Sequence, residues 1–257
     1  MVRPKKHLGQ HFLTDRNIAE RITQLFKAEE YDTIMEIGPG KGILTSFLMK
    51  RVEEKLVLIE IDRESVEYLK DLFPLCKSRI IEGDFLKMDL PGFGNRMAVI
   101  GNFPYNISSQ IFFRILEYRE QVDEIVCMLQ KEVALRLASG PGNKQYGILS
   151  VLLQAWYDIS IEFHVKPGAF FPPPNVQSTV IRLTRNGRNK MDCDEKLFTR
   201  LVKTGFNQRR KMLSNSLKSI LLTLEPGIPF LTRRPEELSV EQFILLCNYL
   251  EENELIK

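Results

Sequence analysis

Four short segments carry side chains suited to binding and reaction: EIGPGKG at Glu36–Gly42, EID at Glu60–Asp62, GDF at Gly83–Phe85 and NFPY at Asn102–Tyr105. Gly38, Gly40 and Gly42 allow a sharp turn and let a ligand lie against the main chain. The spacing is not the GxxxxGK[ST] of a phosphate loop, which disfavours ATP or GTP hydrolysis, and it is not the GxGxxG of a dinucleotide site. A structural turn has the same composition, so the run alone decides nothing. A carboxylate about 20 residues past such glycines can accept hydrogen bonds from both hydroxyls of a ribose. Glu60 sits there; Asp62, two residues on and on the same face of an extended chain, could serve instead. Asp84 could accept from an adenine amine, with Phe85 beside the ring, or be a turn aspartate. Asn102, Pro104 and Tyr105 offer an amide, a carbonyl and a stacking face together, which suits a planar base presenting an amino group.

The elements that must position these groups follow from hydrophobic periodicity. Short apolar runs at 33–37, 56–61, 79–83, 97–102, 124–130 and 178–184 read as strands. Segments 41–52, 63–73, 108–118 and 131–138 read as helices. Strand–helix alternation at this spacing predicts an α/β fold, a parallel sheet with helices on both faces, and ligands at the carboxyl ends of its strands. All four segments fall at such ends. After Thr184 the pattern changes. A polar linker, RNGRNKMD, leads into helical segments 195–206, 209–222 and 239–253, with Pro226, Pro229 and Pro235 breaking the stretch before the last. This predicts two domains, 1–185 and 186–257, the second small and all-helical.

The 257 residues are 44% hydrophobic and 27% charged, an ordinary globular balance. The longest apolar run, near 148–156, is too short to span a bilayer. MVRPKKHLGQHFL contains no apolar core of a secretory leader. Cys76, Cys127, Cys193 and Cys247 lie far apart with no CxxC, so free thiols in a reducing cytosol are expected, without zinc or disulfides. His7 and His11 are four apart but lack a third ligand, and His164 reads as structural, so no metal site is expected. The net charge of +3 conceals a split: residues 1–16 sum to +3 and 185–220 to +7, leaving −7 elsewhere. Two basic windows in one chain point to a polyanion such as nucleic acid.

Read together, KHLGQHFL, EIGPGKGILT, EID, EGDFL, GNFPYNISSQI, QKEVALRL, PGNKQYGILSVLLQ, AFFPPPNVQS and FNQRRKMLSNSL make the chain resemble the small-subunit ribosomal RNA adenine N6,N6-dimethyltransferases, the kasugamycin-resistance family, nearly end to end. The resemblance implies a Rossmann-like methyltransferase sheet using S-adenosylmethionine, with a helical RNA-binding domain after it. It implies an enzyme that methylates two adjacent adenosines in a hairpin loop near the 3′ end of small-subunit rRNA, in the cytoplasm, as a monomer acting on the immature small subunit.

Position by position, it places Gly38 under the methionine part of the cofactor, Glu60 on its ribose and Asp84 at its adenine, with Gly40, Ile61 and Phe85 completing that shell. His11 and Leu13 would close over the cofactor, with Gln10 near the reacting centre. Asn102 would lie between donor and target, the Pro104 carbonyl would help orient the target amine, and Tyr105 and Phe170 would stack on a flipped adenine. Arg3, Lys5 and Lys6 would form a flexible basic arm, and Arg209, Arg210 and Lys211 would meet phosphates. The chain departs from the family pattern at His11, commonly Asn, and at Phe103, commonly Leu. The large-subunit adenine methyltransferases of antibiotic resistance share the glycine and NxPY motifs, and a binding factor that has lost catalysis could keep the fold.

Overall fold

The computed structural model describes residues 2–27, 30–225 and 227–257. The chain divides into two compact units, Met1–Ala134 with Asp158–Arg185, and Leu135–Tyr157 with Asn186–Lys257. The second unit thus takes in a stretch that the sequence assigns to the first domain.

In chain order the elements are β1 (Phe12–Leu13), α1 (Arg16–Thr23), β2 (Thr33–Ile37), α2 (Ile43–Val52), β3 (Leu56–Glu60), α3 (Arg63–Leu72), β4 (Ile80–Glu82), β5 (Met97–Asn102), α4 (Ser108–Glu117), β6 (Val122–Gln130), α5 (Lys131–Ala138), α6 (Ile148–Gln154), β7 (Tyr157–Val165), β8 (Phe170–Phe171), β9 (Ser178–Arg185), α7 (Glu195–Asn207), α8 (Leu213–Ser216) and α9 (Val240–Glu252). Seven strands form one sheet in the order β4-β3-β2-β5-β6-β9-β7, while β1 and β8 pair apart from it.

Strands β2 to β6 run parallel, as helical crossovers require. The sequence pattern also put residues 178–184 in the parallel set. Instead β9 lies antiparallel to β6, Glu124 opposite Thr184 through Gln130 opposite Ser178. The reason is the connection: a loop, not a crossover helix, joins β7 to β9, so the chain turns back on itself. The buried Glu124 carboxylate pins this pair of strands. It accepts from Tyr31 Oη at 2.6 Å and from Arg182 Nε.

The chain runs outward from β2 through β3 to β4, then returns to β5 on the other side of β2. That reversal opens a crevice beyond the carboxyl ends of β2 and β5. The core beneath it is apolar, with Ile34, Leu48, Leu58, Val66, Leu69 and Met128 fully buried. Asp15 caps α1, its side chain accepting from the N–H groups of Asn17 and Ile18.

The helical unit centres on aromatic rings, Tyr146 against Phe206 at 6.1 Å and Phe206 against Phe243 at 6.2 Å. Asp194 caps α7, and Ser239 with Gln242 forms a capping box on α9. The helix expected over 209–222 shortens to α8. The N–H groups of Leu213 and Ser214 donate to the carbonyls of Arg233 and Leu231, a tertiary pairing that competes with helix propagation. Among the described residues no helix is long and apolar enough to cross a membrane.

Candidate active site

The crevice holds a cavity of about 330 Å³, lined by the ends of β2, β3, β4 and β5 and by the N-terminal segment Leu8–Phe12. That volume lies in the range of small-molecule sites. Gly38, Gly40, Glu60, Ile61, Asp84, Phe85, Asn102, Pro104 and Tyr105, with Gln10 and His11, all reach it. Their convergence follows from the register. Glu36, Ile37 and Ile59 lie in paired strands, so the glycine turn after β2 and the carboxylate ending β3 emerge side by side.

Two glycines are required by conformation. Gly38 has φ +67°, and a Cβ there would point into open space, so its bare backbone forms the cavity floor. At Gly40, φ +54°, a Cβ would lie 2.7 Å from the Phe12 ring, so the N-terminal strand sits directly on the turn.

Glu60 is buried and fixed from two sides. The N–H of Gly40 donates to Oε2 at 3.0 Å and that of Asp62 to Oε1 at 2.9 Å. Burial outweighs these bonds and raises its carboxyl above the usual range. Asp62, the alternative from sequence, is turned to other partners: it accepts from Lys5 Nζ at 2.5 Å and from Ser65 Oγ at 2.9 Å. Asp84 accepts from the N–H of Leu86 at 3.0 Å, which starts a single helical turn and places Phe85 against the core.

At the other end, Asn102 closes β5. Its Nδ2 donates to the carbonyl of His11 at 2.8 Å, so the amide orientation is set and Oδ1 is the acceptor it presents. The His11 ring stacks on Tyr105 with centroids 5.4 Å apart, and Nδ1 lies 2.8 Å from the Pro172 carbonyl. A carbonyl only accepts, so that nitrogen carries a hydrogen. The Tyr105 and Ser178 hydroxyls share a hydrogen bond of 2.6 Å, and burial pushes the phenol up, which leaves it protonated at neutral pH. The Pro104 carbonyl accepts from the N–H of Ile107 at 3.2 Å and keeps one lone pair.

A family model described as ribosomal RNA adenine dimethylase matches residues 1–250. The chain belongs to the ribosomal RNA adenine dimethylase family. It is 54% identical over 249 residues to a ribosomal RNA small subunit methyltransferase A of Parabacteroides distasonis, covering 96% of this chain and 93% of the relative. It is 52% identical over 252 residues to the one of Cytophaga hutchinsonii, covering 97% and 98%. A dimethyladenosine transferase structure from Plasmodium falciparum shares the fold, with TM-score 0.79 at 22% identity over 96% of this chain and 99% of that one.

In this dimethylase several expected site residues lie elsewhere. Leu13 and Phe170 are not among the residues lining the cavity. They face each other in the β1–β8 ladder with their side chains in the core, Phe170 only 4% exposed. The neighbouring Phe171 is 58% exposed and pairs with Phe12, which does line the cavity. Alternation along an extended pair sends one ring in and the next out, so the ring this hairpin leaves accessible is Phe171, which like Phe170 is not among the residues lining the cavity.

The flexible basic arm also needs correction. Arg3 is exposed, but Lys5 is held by Asp62 and Glu64, and its N–H donates to the Gln10 side chain at 2.9 Å. The side chain of Lys6 lies outside the described residues. Arg209 is engaged by Glu236 and donates to the Asn143 carbonyl, while Arg210 and Lys211 are exposed in the turn after α7.

Glu36, the first residue of the glycine run, is not among the expected site residues. It is 1% exposed, accepts from Thr45 Oγ1 at 2.7 Å, and is pushed up to about 8 by burial, with Glu60 adding to the effect. The signal for it was there: an acidic side chain in a strand buried along its whole length must find a donor or keep a proton.

Proposed function

We propose that the cavity binds S-adenosylmethionine and that the protein dimethylates N6 of two adjacent adenosines in a hairpin loop near the 3′ end of small-subunit rRNA. Family membership supports the reaction and the rRNA substrate. The residues present fit the cofactor: an open glycine floor at Gly38, a buried carboxylate at Glu60 with lone pairs left for two ribose hydroxyls, and Asp84 with Phe85 and Ile61 around a flat ring. The bound cofactor supplies a methyl group already activated on a sulfonium.

An adenine amine is a weak nucleophile because its lone pair is delocalised into the ring. The protein's task is therefore to hold that nitrogen in line and to favour its pyramidal form. Asn102 Oδ1 and the free lone pair of the Pro104 carbonyl accept from the amine and stabilise the positive charge that grows on it. Tyr105 and Phe171 offer aromatic faces to the extruded base. No side chain in NFPY is a strong base, and the protonated Tyr105 phenol is not one, so the proton leaves to water after transfer. Arg210 and Lys211 position RNA through phosphates without reading bases. On this reading the protein acts as a monomer, in the cytoplasm, on the immature small subunit.

The observation that carries the reading is the Asn102 amide, locked by the His11 carbonyl and lining the same cavity as Glu60 and Asp84. Purified protein and labelled cofactor, incubated with immature small and large subunits, test it. Dimethyladenosine in digested small-subunit rRNA alone is expected. Activity only on large subunits would move the assignment to the resistance-type enzymes. Tight binding to small subunits without product would make the protein a non-catalytic assembly factor.

A further inference from the structure

Cys193 and Cys247, far apart in sequence and expected to be free thiols, meet in the helical unit. Their Sγ atoms and a carboxylate oxygen of Glu251 all lie within 4.8 Å of one another. Cys193 directly precedes Asp194, the N-cap of α7. Cys247 and Glu251 lie one turn apart on α9 and so share a face. The N–H of Asp194 donates to Glu251 Oε2 at 3.0 Å, which holds the carboxylate beside the sulfurs, and Cys247 Sγ lies 3.9 Å from that oxygen. Cys247 is buried, Cys193 half-buried and Glu251 exposed, so the cluster is closed on its inner side and open to water on the other. Asp194 and Glu251 also line a surface cleft, which provides a path for entry.

We propose that Cys193, Cys247 and Glu251 form a binding site for a thiophilic divalent cation of the zinc class. Metal–sulfur bonds of about 2.3 Å and metal–oxygen bonds of about 2.0–2.2 Å place tetrahedral donors roughly 3.5–3.8 Å apart, so this cluster closes on an ion with small side-chain movements. Two sulfur donors select zinc-like ions over magnesium or calcium. Three protein ligands leave the fourth position to water. On binding, each thiol gives its proton to solvent, so one cation replaces two protons. The ion clips the segment before α7 to α9 and stabilises the native helical unit, apart from the cavity and its chemistry.

The test is Co²⁺ titration of the reduced, metal-free, full-length protein. We expect visible bands of tetrahedral cobalt and a sulfur-to-cobalt charge-transfer band, saturating at one equivalent and bleached by Zn²⁺. Zn²⁺ well above its dissociation constant should raise the melting temperature by roughly 3 °C or more. Cys193→Ser, at a half-buried position, should lose charge-transfer intensity and at least about tenfold in affinity. Glu251→Gln, on the surface, should keep the sulfur band and bind more weakly. A titration without a sulfur band, or one identical in Cys193→Ser, would overturn the proposal. So would aerobically prepared protein carrying a Cys193–Cys247 cross-link that, once reduced, takes up no cobalt in tetrahedral form.

Discussion

The two ends of the cleft are built differently. The end proposed to hold the cofactor consists of strand termini: Gly38 after β2, Glu60 ending β3, Asp84 after β4, each fixed by main-chain hydrogen bonds or register. The end proposed to receive the target is assembled from pieces that only tertiary contact unites. Asn102 is oriented by the His11 carbonyl, Tyr105 is stacked by the His11 ring and tied to Ser178, and Phe171 is set by pairing with Phe12. A regular scaffold suits a donor common to many reactions, while an assembled end can be reshaped for one acceptor.

The largest difference between the ends should appear in kinetics. Asn102→Ala should lower methyl transfer by about 10²–10³-fold, the usual cost of removing a charge-stabilising group, with RNA affinity nearly unchanged. Glu60→Gln should instead weaken cofactor binding, read by calorimetry, by about tenfold or more. Equal effects of both variants on both quantities would erase the distinction.

The paired phenylalanines come next. Phe170→Ala should cost about 3–5 kcal/mol of stability, as for a buried ring. Phe171→Ala should leave the melting temperature close to the parent's and weaken target binding by about 1–3 kcal/mol, the value of one base stack. Reversal of these two results would restore Phe170 as the stacking ring.

Within the cofactor end, Glu36 supplies a pH dependence. Its carboxyl is raised from 4.5 to about 8 in the native state, so between those values the folded protein binds a proton that the unfolded chain has released. Stability therefore falls as pH rises through that window. Glu36→Gln keeps an acceptor for Thr45, so its melting temperature should exceed the parent's near pH 8, with the gap closing below about pH 5. A gap independent of pH would rule out this titration. The smallest effect is expected in the helical unit. Neutralising Arg210 and Lys211 together should flatten the salt dependence of RNA binding by about 1.5 in log–log slope, at roughly 0.7–0.9 per phosphate contact.

The cofactor end was legible in the sequence because each of its residues ends a strand whose periodicity is local. Glu60 is the case in point: run and carboxylate lie in one short window, and only the choice against Asp62 needed tertiary information, the pull of Lys5. The target end was legible in residue type but not in arrangement. Nothing in AFFPPP says which phenylalanine faces inward, because that depends on pairing with β1, more than 150 residues away. Arg209 likewise has the residue type of a phosphate ligand, whereas its pairing with Glu236, 27 residues along the chain, is visible only in the fold. The β9 direction was hidden for a similar reason: strand character is local, whereas polarity belongs to the connection.

With Asn102 in its proposed role, its bond to the His11 carbonyl makes correct assembly of the chain's beginning a condition for turnover. Turned half a revolution, the same amide would offer hydrogens to an approaching amine and repel it. A slip of one residue where β1 meets β8 would remove that carbonyl and silence the protein with NFPY intact. Sequence comparison of the motif would miss such an inactive form, and a loss-of-function screen would find it among substitutions near residue 12.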